Sequence, residues 1–241
     1  MSSSQTRPRL LDLFCCAGGA GEGYHRAGFE VIGVDRDPQP NYPHQFIQAD
    51  ALQVLDALPF LKVDAIHASP PCQRYSTMTK RHGRSDEHPD LVEPVRALLK
   101  ASGLPYVIEN VEGSPLIAPV VLCGSMFGLA ATVDGEHRQL RRHRLFESNF
   151  PLMTSTCQHR RRPNHRRAST GGDRTIGVYG NAGGSSKRDG VRFATGPEWK
   201  TAMGIDWMTN KEMAQAIPPA YTEYIGVQLA NHLRYRARVA A

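Results

Sequence analysis

The run Leu10-Leu11-Asp12-Leu13-Phe14, followed at once by Cys15-Cys16-Ala17-Gly18-Gly19-Ala20-Gly21, decides how this chain is read. A short apolar stretch that breaks into small residues and glycine is a strand entering a tight turn. Residues 22–27 can start a helix behind that turn. Further strands are expected at 29–34, ending at Asp35, and at 45–48, before Asp50. Another is expected at 63–68, ending at Ser69-Pro70-Pro71-Cys72, and another at 106–108, ending at Glu109-Asn110. Between the last two, Leu91, Val95, Leu98 and Leu99 share one side of a helix. Strands alternating with helical stretches predict an α/β fold with a parallel sheet and crossover helices. In such sheets ligands meet the loops at the carboxyl ends of the strands, where the polar features above also fall.

The pattern changes after Phe146. Gly, Ser, Arg and Pro dominate, and apolar periodicity returns only near Glu198. Gly177-Val178-Tyr179-Gly180 is the one strand-like island, and 197–203 and 221–233 again read as helical. The chain of 241 residues therefore divides into 1–146, a short region 147–194, and 195–241. Charge follows the same division. Lys and Arg number 29 against 23 Asp and Glu, a net of +6, yet residues 149–194 alone carry +7 and the remainder −1. A basic segment of this kind, with Arg160, Arg161, Arg162, Arg166, Arg167, Lys187 and Arg188, suits a polyanion. With 40% hydrophobic and 22% charged residues the chain is not broadly disordered. It has no bilayer-length apolar run and no apolar leader after Met1. Five cysteines suggest free thiols in a reducing compartment, and a cytoplasmic location is expected.

Four constellations could carry chemistry. The glycine turn after the first strand, with an acid at Asp35, suits a nucleoside cofactor, although a plain βα turn would look the same. The dinucleotide pattern G-x-G-x-x-G fails, because Tyr24 stands where the last glycine is needed. Pro70-Pro71 would hold Cys72 rigidly at a strand end, as a nucleophile needs, although a single cysteine is more often packing. Glu109, if enclosed by apolar groups, would keep its proton and could donate it to a ring nitrogen; alone it could equally be a surface carboxylate. Arg142 and Arg144 would point the same way from an extended segment, towards a phosphate or base carbonyl, unless this is simply a solvated basic strand. Cys157-x-His159 with His165 matches no standard zinc spacing, so no metal is expected.

Taken together and in this order, these motifs resemble the cytosine-C5 DNA methyltransferase family, in its compact phage and prophage form. Asp12-Leu13-Phe14 with Gly18-Gly19 looks like its S-adenosylmethionine loop, and Pro70-Pro71-Cys72-Gln73 like its catalytic loop. Glu109-Asn110-Val111 and Arg142-x-Arg144 look like the next two motifs, and 195–207 and 218–226 like the last two. The departures are Cys16 for a common Gly, Asp35 for Glu, Leu140 for Gln and Gln215 for Asn. The resemblance implies a Rossmann-like methyltransferase sheet with a small, irregular target-recognition domain. It implies Cys72, Glu109, Arg142 and Arg144 as catalytic residues. Cofactor contacts would come from Asp12, Phe14, Gly18, Gly19, Asp35, Arg36, Asp50, Ala51 and Pro70. Gln73, Ser76 and the basic residues named above would contact double-stranded DNA. The implied activity is methyl transfer from S-adenosylmethionine to C5 of a flipped cytosine, by a monomer. The alternatives are an RNA cytosine substrate, transfer of a modified group, or a DNA-binding protein with a decayed core.

Overall fold

A computed structural model describes residues 6–75, 88–157, 175–179 and 194–239. Strands β1 (Arg9–Leu13), β2 (Glu30–Asp35), β3 (Gln45–Gln48), β4 (Ala65–Ala68) and β5 (Tyr106–Asn110) run parallel in the order β3-β2-β1-β4-β5. The sheet continues through β9 (Arg144–Ser148), antiparallel to β5, and ends at β6 (Val120–Leu122). The order reverses between β1 and β4. That is the switch point where the loops after neighbouring strands diverge and leave a crevice.

Side-chain alternation along the strands builds two cores. Leu11, Leu13, Ile32, Val34, Ile66, Ala68, Tyr106 and Ile108 face helices α2 (Ala51–Asp56), α3 (Leu58–Leu61) and α4 (Val92–Ala101). The opposite face carries Leu10, Val31, Ala65 and Val107. It packs on α1 (Gly19–Arg26) and on a long C-terminal helix. By the same period of two, Asp12, His67 and Glu109 fall on this second face of β1, β4 and β5. A row of polar groups is thereby buried on that face of the sheet.

A smaller sheet joins β7 (Ala130–Val133), β8 (Glu136–Leu140) and β10 (Thr175–Ile176) in the order β10-β8-β7. Its core combines Val133, Leu140 and Ile176 with Trp199, Met203 and Met213 of helices α5 (Gly196–Met203) and α6 (Asn210–Gln215). This sheet draws on segments both before and after residue 146. The strand-like island is displaced: β10 ends at Ile176, and residues 177–179 leave the ladder because the Val178 carbonyl accepts from the Arg142 guanidinium.

The chain closes with α7 (Pro219–Val239), which lies against α1. Gly23 makes this approach possible, since a Cβ there would meet Pro219 O and Thr222 Oγ1 at 2.1 Å. Thr222 Oγ1 donates to Ala20 O at 2.8 Å across the contact. Among the described residues no helix is long and apolar enough to cross a membrane.

Candidate active site

The turn after β1 is unusually bent. Phe14 (φ 58°) and Cys16 (φ 45°) occupy the left-handed region alongside Gly18 (φ 86°). Such conformations persist only where surrounding contacts enforce them. Here Cys15 N–H donates to Val34 O, Cys16 N–H donates to Asp35 Oδ2 at 3.0 Å, and Trp207 Nε1 donates to Ala17 O at 2.9 Å. Gly18 caps α1 without a side chain, and a Cβ there would collide with Pro43 and Tyr42. Gly19 is needed for a different reason: Ile217 O passes 2.4 Å from where its Cβ would be.

The expected cofactor residues separate by position. Asp35 ends β2 with Oδ2 on Cys16 N–H and Oδ1 on Asp37 N–H, which holds its carboxylate at the crevice. Arg36 is exposed. Asp50 Oδ1 accepts from Leu52 and Gln53 N–H, so Asp50 caps α2. Ala51 is buried in the first core. Asp12 is wholly enclosed below the turn. Tyr42 OH donates to its Oδ2 at 3.3 Å, while Oδ1 has no hydrogen-bond partner. Burial pushes the Asp12 carboxyl up to about 7, against the Tyr42 hydrogen bond. The donor set fits an adenosyl cofactor. A fixed carboxylate at the β2 end can accept sugar hydroxyls, and the α1 N-terminus lacks a side-chain cap.

The loop after β4 carries Cys72, half-buried, with Pro70 buried before it. Asn110, fully buried at the end of β5, donates from Nδ2 to Pro70 O at 2.9 Å and accepts Val111 N–H on Oδ1. One amide thereby clamps the loop to the neighbouring strand. Gln73 is exposed in the 3-10 turn Gln73–Tyr75 that follows. Glu109, 6% exposed, is enclosed beside this loop. Burial raises its pKa, opposed by Arg144, a Ser69 hydrogen bond and Arg142. Arg144 Nε lies 3.1 Å from Glu109 Oε1. Cys72 is also raised by burial and by the Glu109 charge, with Arg144 and Arg142 acting the other way. Cys16, facing Asp35, is pushed up to about 12 by burial and that carboxylate. The thiol at 72, unlike that at 16, therefore has cations working to ionise it.

The two arginines do not act alike. Residues 141–143 are not strand, and the side chains diverge. Arg144 turns to Glu109, whereas Arg142 is buried with its guanidinium on the carbonyls of Val178 and Ala214, the latter at 2.8 Å. Tyr221 OH donates to Arg142 O at 2.6 Å. The expected parallel orientation fails because Arg142 lies outside the strand that begins at Arg144, so the strand period does not relate the two side chains. Leu140, just before them, is fully buried in the core of the smaller sheet. Gln215 is exposed at the end of α6.

Three residues that were not assigned a role complete the surroundings of Glu109. His67 Nδ1 lies 3.1 Å from Tyr24 OH and its Nε2 lies 3.0 Å from Ser69 Oγ. Ser69 in turn hydrogen-bonds Glu109. Burial holds His67 down to about 3, so the imidazole is neutral, with one donor and one acceptor nitrogen. The alternation of β4 could have pointed to His67, but its partners lie on other elements. In the late motifs, Glu198 and Thr195 form a capping box for α5, and Gly204 (φ 67°) is its left-handed end. Ser76 and the arginines and lysine of the basic segment lie outside the described residues.

Residues 8–114 match the family model of C-5 cytosine-specific DNA methylases. The chain is also 31% identical over 121 residues to the Type II methyltransferase M.HgiGI of Herpetosiphon aurantiacus, covering 45% of this chain and 94% of that relative. The chain belongs to the C-5 cytosine-specific DNA methylase family. Another Type II methyltransferase, M.AquIA of a Picosynechococcus species, is 33% identical over 123 residues, 44% of this chain and 49% of its own length. M.AgeI of Thalassovita gelatinovora is 28% identical over 147 residues, 52% of this chain and 34% of its own. The chain thus spans about a third to a half of the length of these two relatives. Solved structures show the same methyltransferase fold. The S. pombe Dnmt2 methyltransferase superposes with a TM-score of 0.62 at 13% identity, covering 95% of this chain and 99% of that one. The Entamoeba histolytica methyltransferase EhMeth does so with 0.60 at 12% identity, again over 95% and 99%. Within the family match lie Cys72 and Glu109; Arg142 and Arg144 lie beyond it.

Proposed function

We propose that this chain transfers a methyl group from S-adenosylmethionine to C5 of a cytosine flipped out of double-stranded DNA. The observation that carries the reading is the convergence of Cys72, Glu109 and Arg144 at one edge of the sheet, with Arg144 Nε 3.1 Å from Glu109 Oε1. S-adenosylmethionine would supply an electrophilic methyl group, held by the turn after β1 and by Asp35, with Phe14, Gly18 and Pro70 beside it.

C5 of cytosine is a poor nucleophile. The Cys72 thiolate adds to C6, forming the S–C6 bond, while protonated Glu109 gives its proton to N3. Charge is thus kept off the ring, and C5 becomes enamine-like and takes the methyl group. Water then removes the C5 proton, the S–C6 bond breaks, and the N3 proton returns to Glu109. Arg144 orients Glu109 and is the arginine available to the base. Arg142, spent on two carbonyls, positions the segment. Reaching the pocket costs the base its stacking, a few kcal/mol.

Residues 1–146 would form the catalytic domain, 147–194 the target-recognition region and 195–241 the returning late motifs. Gln73, Ser76, Arg160, Arg161, Arg162, Arg166, Arg167, Lys187 and Arg188 would meet DNA. Phosphate neutralisation by this set would make binding salt-sensitive. We place the enzyme, as a monomer, in the cytoplasm of a bacterial or phage-infected cell.

The test is a covalent complex. Duplex DNA carrying 5-fluorocytosine, incubated with S-adenosylmethionine, should trap an adduct at Cys72, and Cys72→Ala should form none while still binding DNA. Methyl transfer at the normal rate by Cys72→Ala would overturn the mechanism. Transfer to RNA but not to matched DNA would overturn the substrate.

A further inference from the structure

Beside the segment that carries Arg142 and Arg144, the described residues bring Cys123, His143 and Cys157 together, with one ligand atom of each lying within 4.8 Å of the others. The three are distant in sequence. Cys123 follows β6 and precedes the 3-10 turn Gly124–Phe127. His143 sits between Arg142 and Arg144. Cys157 lies in the basic segment, ahead of its first arginine, Arg160. Cys157 Sγ lies 3.6 Å from His143 Nε2. A thiolate at about 2.3 Å and an imidazole at about 2.05 Å on tetrahedral zinc stand ~3.6 Å apart.

The imidazole is also backed. His143 Nδ1 lies 3.2 Å from Glu112 Oε1. A carboxylate on one ring nitrogen puts the proton there and leaves the lone pair of the other nitrogen for a metal. Packing accounts for part of the cluster, since Cys157 Sγ also lies 3.4 Å from Ser125 Oγ and Cys123 Sγ 3.9 Å from Leu140 O. Packing alone gives no reason for a carboxylate-backed imidazole aimed between two thiols.

We propose that Cys123, His143 and Cys157 bind one zinc ion, with water in the fourth position. The pairing of Cys157 with His159 and His165, weighed from spacing, falls outside the described residues. The partners of Cys157 here lie 14 and 34 positions upstream. The ion would tie three segments at the rim of the site. Because His143 adjoins Arg144, occupancy would also steady the strand that presents Arg144 to Glu109.

The experiment titrates the reduced full chain with cobalt(II) and follows its absorption, with zinc then displacing the cobalt. One cobalt per chain, visible bands of tetrahedral geometry and a thiolate-to-cobalt charge-transfer band are expected. Cys157→Ser should abolish the charge-transfer intensity of one thiolate and weaken binding. This half-buried site tolerates Ser better than the fully buried Cys123. Glu112→Gln, at an exposed position, should weaken affinity about 10- to 100-fold while leaving the ligands in place. A reduced chain without the charge-transfer band, or a band unchanged in Cys157→Ser, would overturn the proposal.

Discussion

Arg144 Nε lies 3.1 Å from Glu109 Oε1, and the two residues come from adjacent antiparallel strands, with Glu109 opposite Phe146 and Asn110 opposite Leu145. β9 thus begins where β5 ends. Arg144 arrives at the edge that carries the other strand-end residues, and its cation tempers the burial that raises Glu109.

Glu109→Gln should lower methyl transfer by about 10²- to 10⁴-fold while leaving DNA affinity within a few-fold, because a fixed proton donor is lost. Arg144→Ala should raise the Glu109 pKa further, since the cation that lowers it is gone. Glu109 is needed protonated, so the alkaline limb of the kcat profile should move to higher pH as overall kcat falls. Single-turnover transfer of a labelled methyl group across pH measures both effects. An alkaline limb that moves down in Arg144→Ala would count against this role for the pair.

The same charges act on Cys72. The Glu109 charge raises its pKa and Arg144 lowers it. Glu109→Gln should therefore shift the midpoint of iodoacetamide alkylation at Cys72 to lower pH, and Arg144→Ala to higher pH. Peptide mapping of the alkylated protein separates Cys72 from the other four cysteines.

Asp12 makes stability depend on pH. Its carboxyl is raised from 3.8 to about 7 in the fold. The folded state therefore holds the proton more tightly than the unfolded chain. The contribution is fully present below pH 3.8 and is lost as pH rises to about 7. Over that window it amounts to about 4 kcal/mol. Asp12→Asn should flatten the fall. Urea unfolding at pH 5 and pH 8 should show a smaller difference for the variant than for the wild type.

A buried ion pair braces the far side of the sheet. Arg96 of α4 reaches Glu147 of β9 twice, Nε to Oε1 and Nη2 to Oε2, each at 2.8 Å, and Ile117 N–H also donates to Glu147. Arg96→Met leaves an enclosed carboxylate without its cation and should cost about 3–5 kcal/mol of unfolding free energy. Glu147→Gln with Arg96→Met should recover part of that loss, because no buried charge then remains. Denaturant midpoints for the single and double variants decide it.

The legible part of this protein is local. Alternating apolar residues in β1, β2, β4 and β5 announce strands, and the glycines, prolines and acids behind them announce loops. Parallel order then sends all those loops to one edge, so Cys72, Glu109 and Asp35 could be named together from their positions. Glu198 and Gly204 are equally local, as a helix start and stop.

What the amino-acid sequence determined by itself was the α/β alternation and the placing of a cysteine and a glutamate at strand ends, because strand period and turn chemistry act over a few residues. What only the tertiary structure decided was which arginine faces Glu109, how Asp12 and His67 are enclosed, and that Cys123, His143 and Cys157 meet. These depend on β9 inserting antiparallel between β5 and β6 and on α7 closing over α1. Such contacts join residues far apart in the chain, and their free energy comes from burial and pairing that no local pattern records.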